Sequence, residues 1–218
     1  MPTIADLTGP AGTLEAALEL PTGGRADAIR AAVVFAHPHP QFGGTMHTKA
    51  VYQGTKGLSR IGCAVLRFNF RGVGRSQGRF DQGAGETQDF AAALEYMAAR
   101  YPNAPLWSAG FSFGAWVALE VGAAADRVSV LVGIAPPVAT SASGMDYSFP
   151  NTLESRKPKF FVQGEADEVC PLEALWHFYG RLHEPKEMVV IDGADHLFEG
   201  KATEVGEALE DLLGDFEG

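Results

Sequence analysis

Hydrophobic and polar positions along the chain alternate between compact apolar runs and longer amphipathic stretches, with no internal repeat and no linker dividing it. Residues 31–36, 64–70, 106–110, 128–134, 160–164 and 188–191 are apolar almost throughout, as strands buried on both faces of a parallel sheet are. Between them, residues 46–60, 86–100, 113–125, 172–182 and 201–216 have the spacing of helices. Residues 13–20 differ: Leu14, Ala16, Leu18 and Leu20 alternate with polar neighbours, which predicts a half-exposed antiparallel strand. It would form a hairpin with residues 4–8 across Gly9-Pro10-Ala11-Gly12. The alternation predicts an α/β fold, a mostly parallel sheet of about eight strands with helices on both faces, antiparallel only at its first edge. In such sheets ligands bind outside the carboxyl ends of the strands, so the polar residues that follow each apolar run carry the chemistry.

Length and composition narrow the reading. At 218 residues, 46% hydrophobic and 20% charged, the chain suits one globular domain over 1–218 that needs no metal or disulfide to hold its core. Seventeen Lys and Arg against 27 Asp and Glu leave a formal charge of −10, the wrong sign for binding a phosphate backbone, so no nucleic acid is expected. No apolar run approaches the roughly 18 residues a membrane helix needs, so no membrane partner is expected. Residues 1–10 carry neither a basic start nor an apolar stretch, and Cys63 and Cys170 are too few for a disulfide scaffold. A cytoplasmic location is the expectation. Oligomeric state has no signal here.

Directly after the run at 106–110 stands Gly110-Phe111-Ser112-Phe113-Gly114, followed by the helical stretch from 113. A G-x-S-x-G sequence between strand and helix is a nucleophile elbow: a sharp turn exposes the serine, and the flanking residues must lack bulk because backbones approach there. A serine nucleophile needs a base, and the base an orienting acid. The run at 160–164 leads into Gly164-Glu165-Ala166-Asp167-Glu168, where Asp167 is the preferred acid, with Glu165 and Glu168 as neighbours and Asp146 in the preceding loop as alternatives. After the last strand, Asp195-His196 supplies the base, His196, with Asp195 expected at a helix start or the surface. Ser112, Asp167 and His196 thus follow the order Ser, Asp, His, each just beyond a predicted strand.

These segments, with His37-Pro38-His39, Gly43-Gly44 and Arg67-Phe68-Asn69-Phe70-Arg71-Gly72-Val73-Gly74-Arg75-Ser76, resemble small bacterial α/β-hydrolases of the predicted serine esterase type over nearly the whole chain. Asn69 is a departure, standing where many relatives carry Asp; the position usually serves loop architecture. One oxyanion donor is expected from the backbone N–H of Phe113. The second should come from the loop after the run at 31–36, where Pro38 and Pro40 have no N–H and His39 or Gln41 remains. The resemblance aligns His37-Pro38-His39 with the family's His-Gly-x turn and implies His39.

Rival readings use the same residues. His37-x-His39 with His47 has the look of a metal set, but the chain is too short for the eight strand-helix units of a metal-dependent barrel. Gly72-Val73-Gly74-Arg75-Ser76-Gln77-Gly78 is similar to a dinucleotide loop, yet its third glycine falls late and no helix follows directly. Cys170 lacks an elbow. Residues 135–159, where relatives insert lids, are too few for a large cap domain, and Met145, Tyr147 and Phe149 there, with Phe42 and Phe113, are candidates to line an apolar acyl pocket. The expected activity is hydrolysis of a small carboxylic ester, of short acyl chain, without metal or cofactor. Thioesterase, peptidase or lactone hydrolase chemistry shares the same triad, and a hydrolase-fold binding protein is the alternative outside catalysis.

Overall fold

The computed structural model describes residues 3–4, 7–22, 29–138 and 147–216. Its strands are β1 (Thr3–Ile4), β2 (Thr8–Gly9), β3 (Gly12–Thr13), β4 (Ala16–Glu19), β5 (Ala32–Ala36), β6 (Ala64–Phe68), β7 (Leu106–Phe111), β8 (Val128–Ile134), β9 (Lys159–Gly164) and β10 (Lys186–Ile191). Its helices are α1 (Lys49–Arg60), α2 (Ala84–Arg100), α3 (Phe113–Ala124), α4 (Pro150–Glu154), α5 (Leu172–Tyr179) and α6 (Ala202–Gly214). Eight strands form one sheet in the order β1-β4-β6-β5-β7-β8-β9-β10. The pairings β1 with β4 and β4 with β6 are antiparallel, and the others are parallel, so the antiparallel part is confined to the first edge.

Strand periodicity divides the core in two. Ala32, Val34 and Ala36 of β5 face one side with Leu94 and Met97 of α2, Val117 of α3 and Leu175 of α5. Val33 and Phe35 face the other side with Val51 and Leu58 of α1 and Leu209 of α6. Each large side chain removed from water in this way contributes about 1.5–3 kcal/mol. Because both faces are covered, the central strands read as unbroken apolar runs.

The expected strand at 13–20 is interrupted. Leu14 donates its N–H to the Leu7 carbonyl at 2.9 Å, closing the small β2–β3 ladder, while Glu15 donates to Ser76 Oγ at 2.9 Å, so β4 begins only at Ala16. The helix expected from 46 starts at Lys49. Met46 is held outside it by two buried bonds, its N–H to Asn69 Oδ1 and its carbonyl from Arg67 Nη1, both 2.8 Å. Asn69 also donates through Nδ2 to Glu15 Oε2 at 2.8 Å. An aspartate there would set two carboxylates face to face, which accounts for the amide at this position. Two short elements had no sequence signal strong enough to predict them: α4 and a 3-10 turn at Pro40–Phe42. Among the described residues, no helix is long and apolar enough to cross a membrane.

Candidate active site

The turn from β7 into α3 carries Ser112 at φ 54°, ψ −121°, a left-handed φ that a side chain adopts only under constraint. The constraint comes from close packing on both sides. A Cβ on Gly110 would stand 2.0 Å from the Gly114 carbonyl oxygen, and one on Gly114 would stand 2.4 Å from the His37 carbonyl oxygen. Only glycine fits at either place, and the serine is thereby pushed out at the end of the sheet.

Two loops converge on it. His196, following β10, places Nε2 3.0 Å from Ser112 Oγ, and its Nδ1 lies 2.8 Å from Asp167 Oδ2, following β9. The carboxylate can only accept, so Nδ1 carries the proton and Nε2 is left free to accept from the serine hydroxyl. Asp167 is buried and fully engaged: Oδ1 accepts from the N–H groups of Val169 and Cys170 at 2.9 and 2.7 Å, and Oδ2 also accepts from Gln163 Nε2 at 3.0 Å. The His196 ring rests against Phe111, centroids 5.3 Å apart, and Phe111 packs on Phe198, which holds a left-handed φ of 54° in the histidine loop.

The other carboxylates lie elsewhere. Glu165 accepts the Gly193 N–H at 2.9 Å, Glu168 is exposed, and Asp195 accepts the Glu199 N–H at 2.9 Å as a turn cap. Asp146 and Met145 fall outside the described residues. Gln163 was not anticipated. Its signal was a polar residue inside a strand buried on both faces, where an amide must find partners; here Nε2 bonds Asp167 and the Cys170 carbonyl at 2.7 Å.

Phe113 is the first residue of α3, so its N–H has no partner within the helix and points outward at the positive end of the helix dipole. On the facing loop, the Gln41 N–H donates to His39 Nδ1 at 3.2 Å and is spent there. The His39 N–H has no acceptor among the described residues. His37 is occupied at both ring nitrogens, Nδ1 to the Pro38 carbonyl at 2.6 Å and Nε2 from the Phe70 N–H at 3.0 Å, and complete burial holds its pKa down at about 4. Burial also lowers the pKa of His39, and His47 is exposed. These three histidines do not gather as a ligand set. The cluster of three ligand-capable side chains among the described residues is Asp167, Cys170 and His196, two of which already bond each other. Burial raises the Cys170 thiol pKa, the reverse of what a nucleophilic thiol needs. The glycine loop after β6 has no room for a pyrophosphate: a Cβ on Gly74 would stand 2.4 Å from the Glu15 carboxylate, which takes the Arg75 N–H at 2.9 Å.

A cleft of about 540 Å³ opens over Ser112 and His196, with Phe42, Tyr147 and His39 in its wall. Two expected lining residues are turned away from it. Phe149 is 5% exposed and packs on Phe178 at 4.9 Å, and the Phe113 ring is buried among His39, Phe70 and Trp116. Both side chains are drawn into the core that α2, α3 and α5 share with the sheet, and for Phe113 only the main chain remains at the site.

Residues 27–153 match the family model described as serine aminopeptidase, S33, a span that contains the Ser112 turn and ends before Asp167 and His196. The chain belongs to this family of serine hydrolases. The hydrolase is similar over nearly its full length to solved α/β serine hydrolases. A homologue from Coxiella burnetii is 37% identical with a TM-score of 0.86, covering 97% of each chain. A lidless member from Xanthomonas campestris is 34% identical with a TM-score of 0.84, covering 96% of this hydrolase and 92% of that one. An uncharacterized protein of Rickettsia prowazekii is 38% identical over 183 residues, 81% of this hydrolase and 76% of the relative. The fold is therefore the α/β-hydrolase fold, mostly parallel, and among the described residues only the short helix α4 lies between β8 and β9.

Proposed function

We propose that the protein is a carboxylesterase that works through an acyl-enzyme on Ser112. The observation that carries this reading is the unbroken hydrogen-bonded chain from Ser112 Oγ through His196 to Asp167 at the floor of an open cleft. His196 Nε2 takes the serine proton as Oγ bonds to the ester carbonyl carbon, and Asp167 stabilises the imidazolium and its orientation. The Phe113 and His39 amides face the oxygen as it becomes negative. Collapse of the tetrahedral adduct breaks the bond to the alcohol, which leaves with the proton from His196. Water, deprotonated by the same nitrogen, then releases the acid and restores Ser112.

The family's aminopeptidase description raises amide hydrolysis as a second reading. An aminopeptidase must hold its substrate's terminal ammonium, usually with a carboxylate. Among the described residues that line the cleft there is none, and the four acceptor positions of Asp167 are filled from within the protein. That composition favours an uncharged ester. The test is a panel of purified enzyme and its Ser112→Ala variant on neutral p-nitrophenyl esters, thioesters, lactones and aminoacyl p-nitroanilides. The proposal expects ester turnover lost by roughly 10⁴-fold or more in the variant. Faster turnover of the aminoacyl anilides would overturn it.

A further inference from the structure

Phe42, Val169 and Leu197 are 71%, 58% and 55% exposed, and all three stand in the wall of the Ser112 cleft. Single exposed apolar residues are ordinary on a protein surface, but a group of them at one opening marks a binding surface. Only two other large hydrophobic side chains are comparably exposed among the described residues, Leu20 and Trp176, and neither lines this cleft. The three also share a pattern of origin. Phe42 follows His39 in the loop after β5, Val169 follows Asp167 in the loop after β9, and Leu197 directly follows His196. Each loop that brings a polar group to the serine therefore also raises one apolar side chain beside it. Pro137 and Tyr147 continue the same wall, and no Lys, Arg, Asp or Glu side chain lines it among the described residues.

We propose that this rim binds the hydrocarbon chain of the acyl group, so that the enzyme selects neutral esters of unbranched acids of about six to ten carbons over acetyl esters. This rests on the esterase reading and revises the short-chain expectation. A lid would cover the chain from above; the rim contacts it from the sides. A fully buried methylene is worth about fourfold in binding, and a chain lying on an open wall gains roughly the square root of that, about twofold per methylene. From acetyl to octanoyl, six methylenes give on the order of 50-fold in kcat/KM. Water retains access to Ser112 from the open side, so deacylation is unimpeded.

The test measures kcat/KM on monomeric p-nitrophenyl acetate through decanoate, and in parallel the inactivation rate by p-nitrophenyl methylphosphonate through octylphosphonate. The second series needs only a reactive serine and a bound chain, not ester turnover. Wild-type enzyme should rise steeply with chain length in both series, and Phe42→Ser/Leu197→Ser should bring the octyl-to-short-chain ratio within about fivefold of one. A wild-type preference for acetyl, or a gradient that survives in the double variant, would overturn the inference. So would turnover appearing only once the substrate aggregates, which would assign the rim to a lipid surface. A rim-dependent gradient in phosphonate inactivation with no ester turned over would sustain the rim's role and remove the esterase reading instead.

Discussion

Asp167→Asn isolates the contribution proposed for this carboxylate, because the change keeps size and shape while replacing one acceptor oxygen by a donor. The surrounding bonds decide how the amide must sit. Two backbone donors, the N–H groups of Val169 and Cys170, converge on Oδ1, so the amide oxygen takes that place; the reverse orientation would set an NH₂ against both. The amide nitrogen then faces His196 Nδ1 and Gln163 Nε2, where the carboxylate oxygen accepted from each. Turning the Gln163 amide would meet the new NH₂ with Oε1 but would set that oxygen against the Cys170 carbonyl, to which Nε2 now donates at 2.7 Å. His196 has no recourse except to bare Nδ1 and protonate Nε2, which presents an N–H to Ser112 Oγ and removes the base. A wrong-tautomer histidine costs on the order of 10⁴ in kcat, about 5 kcal/mol in the barrier. The fold loses less, about 1.5–3 kcal/mol, because the two backbone bonds persist to a neutral acceptor. Steady-state kinetics on a p-nitrophenyl ester, with circular dichroism and a melting curve to confirm the fold, would measure both. Activity within tenfold of wild type would exclude Asp167 as the acid and leave Asp146 as the candidate.

Four further perturbations separate function from architecture. His39 sits at φ −54°, a value proline accepts, so His39→Pro removes the N–H with little backbone cost and should raise the barrier by about 2.7 to 4 kcal/mol, whereas His39→Ala keeps the donor and should stay within about tenfold. Exhaustive chelation should leave wild-type activity intact; inactivation reversed by Zn²⁺, together with a dead His39→Ala, would replace the serine mechanism with a metal one. For His37, the folded value of about 4 lies below the usual 6.5, so between these the unfolded chain holds a proton that the fold does not. Stability should therefore fall by about 3 kcal/mol as pH drops through that window, with the loss complete below pH 4; an imidazole resonance for His37 titrating near 6.5 would contradict it. Lys159 Nζ donates to the carbonyls of Ser155, Lys157 and His183 at 2.6, 2.8 and 3.3 Å, and Lys159→Met should cost about 1 to 3 kcal/mol in urea denaturation while leaving the Ser112 site unaltered.

Much of the architecture could be read from the chain because parallel strands buried on both faces leave an unmistakable apolar run, and the helices that cover them keep their spacing. The elbow was legible because its glycines are steric necessities, as the contacts of Gly110 and Gly114 show. Histidine and carboxylate positions could be placed at strand ends for the same topological reason. What escaped the reading depends on direction rather than on pattern. Phe149 and Tyr147 are alike in sequence, yet one turns onto Phe178 and the other to the cleft, a difference set by where the chain enters α4. Met46 stands at the head of the predicted helical stretch but is captured by Arg67 and Asn69, two side chains distant in sequence. Gln163 stood in plain view inside an apolar strand, and only the fold shows that its amide reaches Asp167. The exposure of Val169 and Leu197 likewise follows from loop conformation, which hydrophobicity alone does not predict.

Whether Ser112 is the nucleophile can be read from the intact mass of the protein after reaction with a fluorophosphonate, followed by peptide mapping. One adduct per chain is expected, located on Ser112, absent from Ser112→Ala and slowed by roughly 10³-fold or more in His196→Ala. An adduct on another residue, or a Ser112→Ala variant that labels and turns over like wild type, would contradict it.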